Sequence, residues 1–212
     1  MLEIVPGYHL AVTPYGAWQA VARADDGCPR RRILRSILQK VESPLLDLET
    51  ATMWSGEASP EIALETLLSL QNDASLEAWP SPRSAPTGAL GTTLPQYLAV
   101  LSDSGQALLA DHQGFCLAVT GYAADIGDAL AAVGADILSV AERQAAPLAQ
   151  LGAHLLDGWG NVDAAGVSGL SFWPMHVGRT RLVLAVSGRP RFNQRAFADL
   201  VWALYTRYGQ MI

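Results

Sequence analysis

Basic residues are scarce in this chain. Lys and Arg number 14 against 20 Asp and Glu in 212 residues, a formal charge of −6. An acidic balance excludes broad electrostatic attraction to nucleic acid or anionic lipid. Cysteine is scarcer still: Cys28 and Cys116 lie far apart, and no CxxC occurs. Two such residues make no disulfide framework, so a reducing, cytoplasmic setting is expected. Long apolar runs are missing too. The stretch from Ala123 to Ala141 is interrupted by Asp125, Asp128 and Asp136, which a lipid-facing span of about 20 residues does not tolerate. Met1 to Leu10 has no charged segment followed by an apolar one, so no signal peptide is expected. Half of the residues are apolar and only 16% charged, the composition of a folded domain and not of a disordered one.

The usual signatures of chemistry are also absent. Neither GxxxxGK[ST] nor GxGxxG occurs, so the chain has no glycine loop for cradling phosphates and is not expected to be a nucleotide hydrolase itself. The four histidines, His9, His112, His154 and His176, fall in separate segments, which is no ligand spacing for a metal. Asp111-His112 is read as turn chemistry. Gly166-Val167-Ser168-Gly169 lacks the closing glycine of a nucleophile elbow, because Leu170 stands there. Cys116, flanked by Phe115 and Leu117, has the setting of a buried inert thiol, whereas Cys28 sits beside Pro29 and three arginines. No enzyme activity, cofactor or metal is expected.

What is present suggests two small domains. Trp79 to Pro95, rich in Pro, Gly, Ser and Thr, reads as a linker over residues 80–95. Before it, residues 1–79 hold eleven acids against six bases. Tyr8–Val12 is a short apolar segment, followed by a helical turn near Trp18. Arg30–Val41 carries Ile33, Leu34, Ile37, Leu38 and Val41 at helical spacing, with arginines outside. Ser43-Pro44 and Ser59-Pro60 read as helix starts, and Ser75–Trp79 as a strand. Helices followed by a strand suggest a winged-helix-like module. Arg30-Arg31-Arg32 with Arg35 is its basic cluster, but the segment 59–72 that would enter a DNA groove has no Lys or Arg and carries Glu61 and Glu65. Phosphate neutralisation dominates DNA affinity, so nucleic-acid binding is not expected.

In residues 96–212, Leu98–Leu101 reads as a brief helix or turn. Ala107–Asp111 and Phe115–Thr120 read as strands joined through His112-Gln113-Gly114. A long helix spans Ala123 to Gln144, with Ile126, Leu130, Val133, Ile137 and Val140 as its apolar stripe and Pro147 as its stop. Ala153–Asp157 is a possible strand. Leu170–His176 and Arg181–Ser187 form a hairpin, and Gln194–Tyr208 a final helix with Phe197, Leu200, Val201, Leu204, Tyr205 and Tyr208 on one face. Arg189-Pro190-Arg191 is a small basic spot, read as a solvated turn.

The run ALLADHQGFCLAVTGYAADIGDALAAVGADILSVAER has an apolar strand ending in Asp, a Gly turn, a second strand ending in Gly and an Ala-rich helix. With the Leu170–Ser187 hairpin, which contains Pro174, it resembles the Roadblock/dynein-light-chain family over about half the chain. The resemblance implies an α+β fold, a five-stranded antiparallel sheet flanked by helices. It also implies a non-enzymatic regulator that dimerises and binds small Ras-like GTPases or motor complexes.

An argument from residue size points the same way. Opposite the apolar stripe, the long helix presents Ala124, Asp128, Ala131, Ala135, Ser139 and Glu142. A solvated face normally carries more Lys, Glu and Arg, and small residues let another helix approach closely. This face is expected to meet a twin or a partner. The bland alternative is an exposed helix rich in alanine because alanine favours helices. Two further classes stay open: a winged-helix transcription regulator, and a PAS- or GAF-like sensor with a cavity near Phe172, Trp173 and Trp159.

Overall fold

The computed structural model describes residues 7–24, 27–150 and 158–209. Its first half runs β1 (His9–Val12), α1 (Pro14–Val21), α2 (Pro29–Leu38), α3 (Leu48–Ser55), α4 (Pro60–Asn72) and β2 (Leu76–Trp79). Then come α5 (Leu90–Leu98), β3 (Ala107–Asp111), β4 (Cys116–Thr120), α6 (Ala124–Arg143) and α7 (Ala145–Gln150). The chain closes with β5 (Trp159–Val162), β6 (Ser168–Val177), β7 (Thr180–Ser187) and α8 (Arg195–Tyr208). The fold is mixed α+β. Strands β1 and β2 pair as an antiparallel ribbon, and the other five form one antiparallel sheet in the order β4-β3-β7-β6-β5. The possible strand at 153–157 lies outside the described residues.

Local chemistry explains most boundaries. Thr13 caps α1 by accepting from the Gly16 N–H at 3.1 Å, with Pro14 in the first turn. Pro29 and Pro60 likewise stand in the first turns of α2 and α4, without a side-chain cap. Between β3 and β4, Asp111 Oδ1 accepts from the N–H groups of Gln113 (2.8 Å) and Phe115 (3.0 Å), and Gly114 takes φ +87°. That left-handed conformation favours glycine.

Four boundaries differ from the sequence expectation. Ser43-Pro44 starts no helix: the Ser43 N–H donates to Arg83 O and Pro44 O accepts from Leu10 N–H, which holds this stretch extended. Asp47 is the cap instead, accepting from Glu49 and Thr50 N–H. Residues 80–95, read as a linker, are held by Ala85 N–H donating to Val41 O and end inside α5. Pro95 sits within that helix because Leu94 and Leu98 are buried, and their burial outweighs one missing hydrogen bond. Helix α6 ends at Arg143, about where expected, but Pro147 does not close the helical stretch: it lies in α7, which follows.

Alternation along the strands builds two apolar layers. Leu109, Met175, Leu182, Leu184 and Val186 face one side, whereas Leu108, Ala110, Phe172, Val183 and Ala185 face the other. On the first side lie α5 and α8, and beyond them α1 and α2, all within one continuous cluster of buried residues. The second side is covered by α6.

Helix α8 is buried nearly all round, not on the single face expected. From Phe197 to Tyr205 only Asp199 is not buried. Its polar atoms tie the two halves together. Trp202 Nε1 donates to Lys40 O (2.7 Å), and Tyr205 Oη lies 3.1 Å from Ala20 O and 3.3 Å from His176 O. Arg195 donates to Glu77 at 3.0 Å and Asp199 at 3.1 Å. Removing a buried donor between two carbonyls costs about 1–2 kcal/mol. Tyr205→Phe should therefore lower the urea midpoint by the equivalent amount, in one transition shared by circular dichroism and tryptophan fluorescence.

Candidate partner interface

Helix α6 packs on the sheet through its smallest residues. Gly127, Ala131, Gly134, Leu138 and Ala141 are its buried positions. A Cβ on Gly134 would stand 2.6 Å from Val183 Cγ1, and one on Gly127 would stand 3.3 Å from Val119 Cγ2. Two glycines inside a helix cost roughly 1 kcal/mol each relative to alanine. Here they allow backbone and sheet to meet closely, which maximises dispersion contacts along β4 and β7.

This arrangement corrects the expected orientation. Ala131 has no solvent exposure, so it belongs to the contact with the sheet and not to a partner face. Ala135 is half-buried. Ala124, Asp128, Ser139 and Glu142 are exposed, and Glu142 is paired with Arg181 of β7. The supposed core stripe lies on the flank instead. Ile126 is 47% exposed and Val133 46%, while Leu130, Ile137 and Val140 are half-buried. Ile126 and Val133, seven residues apart, are thus left facing outward along one helix flank, while Leu130 and Ile137 pack against the core beneath α6. The pairing Gly127 and Gly134, seven residues apart with Ala131 between, is the sequence signal that would have identified the sheet-facing side.

The other candidate groups are engaged locally. Arg30 pairs with Asp73 and donates to Ser69; Arg35 Nε donates to Ala20 O at 2.9 Å, at the end of α1. Both arginines therefore serve the N-terminal fold, and α4 presents Glu61 and Glu65 in place of bases. Ser168 Oγ bonds Leu170 O (3.0 Å) and Ser171 Oγ (2.6 Å). Burial, with Asp128 adding to it, pushes the Cys116 thiol above its ordinary value, away from thiolate chemistry. Cys28 is the N-cap residue of α2. Arg189 and Arg191 are held at the sheet end, Arg189 N–H donating to Asp103 and Arg191 N–H to Leu101 O. Among the described residues no group of three or more His, Cys, Asp or Glu could hold a metal ion. None of their helices is long and apolar enough to cross a membrane.

Phe172 and Trp173 cannot line a common cavity, since neighbouring strand residues point to opposite sheet faces. Phe172 is buried under α6, whereas Trp173 stacks edge-on against Phe192 at 4.8 Å on the other side. There Trp173, Phe192, Trp18 and Tyr15 border an open cleft of about 680 Å³.

Because Gly134 leaves no room for a methyl group, Gly134→Ala should destabilise the fold by about 1–3 kcal/mol despite its better helix propensity. Chemical denaturation checks the sign.

No protein-family model matches the chain, and no curated protein matches it either. Among solved structures, Myxococcus xanthus MglB is similar at 14% identity, over 60% of this chain and 97% of its own length, with a TM-score of 0.36. That likeness by itself fixes neither fold nor function.

Proposed function

We propose that the protein is a non-enzymatic regulator that acts through protein contacts, with the outward flank of α6 as its principal contact surface. One observation supports this above the others: the two sides of the sheet are unequally covered. Helices α5, α8, α1 and α2 stack over one side. The other has α6, with Ile126 and Val133 about half exposed. Aliphatic side chains left at the surface gain about 25 cal/mol per Å² on being covered by a second polypeptide. A second copy of the chain is the simplest occupant, because two such flanks are self-complementary across a two-fold axis.

The resemblance of the β3-turn-β4-α6 sequence to Roadblock proteins adds a class of further partner, a small Ras-like GTPase. Regulation in this reading works by binding and reorganising that partner. The winged-helix-like description of the N-terminal half belongs to the same proposal, as a module that shares its core with residues 96–212 through α8. Support for a DNA-binding role is weaker, since Arg30 and Arg35 serve internal contacts and α4 is acidic.

Light scattering tests the contact surface. The wild type is expected at twice the 22.6 kDa chain mass. Val133→Asp should weaken self-association about a hundredfold or more, the effect of placing an unpaired charge in an apolar contact. Its circular dichroism should not change. A wild type that stays monomeric at high micromolar concentration contradicts the reading. Addition of a small GTPase loaded with a GTP analogue should then raise the mass again, by one partner per dimer or per chain.

A further inference from the structure

The N-terminal half contains a groove that the α6 contact does not involve. It lies between α4 and the β1–β2 ribbon and holds about 320 Å³. Its wall includes Tyr8, Leu46, Leu64, Leu68, Ala78 and one carboxylate, Glu77, with Gln71 at its end. Leu64, Leu68 and Gln71 follow at steps of four and three residues, so they form one stripe along α4. A leucine stripe at that spacing normally packs against a neighbouring element. Here Leu64 and Leu68 are only half-buried, and Tyr8 is 39% exposed. Protein interiors rarely leave such openings, and the volume falls at the lower end of the range of ligand pockets, about 300–1,000 Å³.

Charge selects the occupant. From Val41 to Trp79 the chain has eight carboxylate side chains and no Lys or Arg. Two of them are matched by bases from elsewhere, Asp73 by Arg30 and Glu77 by Arg195. Glu61 and Glu65 precede Leu64 and Leu68 by three residues each, which places them beside the leucine stripe. Asp47 follows Leu46 and is exposed. A rim of this sign repels nucleic acid, anionic lipid and the carboxylate of a fatty acid. It attracts a chain that brings aliphatic side chains and positive charge together.

We propose that this groove binds a basic amphipathic helical segment of a partner protein, with Leu, Ile or Met side chains seated between α4 and the ribbon and Lys or Arg meeting Glu61, Glu65 and Asp47. Anchors at i and i+3 or i+4 match the recognition of a helix by an apolar groove. Electrostatics sets the encounter rate and the choice of partner, and the seated aliphatic groups hold the complex.

The test uses the full chain and two fluorescein-labelled peptides read by anisotropy. One is an amphipathic helix of Leu and Lys; its twin carries Glu in place of each Lys. The Lys peptide is expected to bind and the Glu twin not, with affinity falling as salt rises from about 50 to about 300 mM. Ala78→Trp places a large ring in the groove from an exposed position and should weaken binding about tenfold or more. Gln71→Trp, also at an exposed position, gives the same readout should the first variant misfold. Glu61→Lys with Glu65→Lys should weaken it comparably. Loss of binding on charge reversal, with full affinity in both tryptophan variants, would show surface attraction alone and overturn the proposal. So would equal binding of the Glu twin. A tenfold gain on deleting residues 1–6 would assign the groove to the chain's own first residues and overturn it as well.

Discussion

The placement of α8 between two groups of helices and a sheet governs the rest of this molecule. A helix with one apolar stripe can rest on a sheet and leave its other side to water. Here Trp202, Ala203 and Ala198 are buried along with Phe197, Leu200, Val201, Leu204 and Tyr205. Such a helix must be covered on every side, and α1, α2 and α5 provide the cover that the sheet cannot. Hydrogen bonds follow the same demand: the indole of Trp202 and the phenol of Tyr205 find backbone carbonyls in α1 and the segment after α2. Buried donors without partners would cost as much as several methylene groups exposed.

That constraint also decides where the protein has surface to offer. The N-terminal helices cover the α8 side of the sheet except at the cleft bordered by Trp173, Phe192, Trp18 and Tyr15, so the broadest contact surface left by the sheet layers is on α6, with the sheet edges at β4 and β5. The glycines of α6 bring its backbone down onto β4 and β7, and the larger aliphatic residues are thereby rotated to the side. Close packing inside and apolar exposure outside are two consequences of one arrangement. The N-terminal groove is independent of it, since it arises from α4 and the ribbon and not from the sheet.

Much of this architecture is readable in the residues. Strands β3, β4, β6 and β7 announce themselves by short, largely continuous apolar runs, as befits a sheet buried on both faces, and by turns at Gly114 and Gly178. Helices α2, α4, α6 and α8 follow from periodicity and, for two of them, from proline at the first position. Less readable were features decided by distant contacts. Ser43-Pro44 has every local mark of a helix start, yet backbone pairing with Arg83 holds it extended. Pro95 argues against a helix that buried Leu94 and Leu98 nevertheless hold in place. Strand β5, with only Trp159 and Val162 as sizeable apolar residues, has too weak a pattern to stand out. On α6 residue size misleads for a physical reason: the sheet accepts only Gly and Ala at the points of closest approach, so Ala131 is inside and the larger Val133 outside.

Native-state amide hydrogen exchange tests most directly whether the two halves are one structure built around α8. Exchange free energies report the opening of cooperative units. The account predicts that amides of α1 and α2 exchange with the same opening free energy as those of α8 and β7, because none can open without exposing the shared core. Exchange from α1 and α2 that is orders of magnitude faster than from α8 would contradict it.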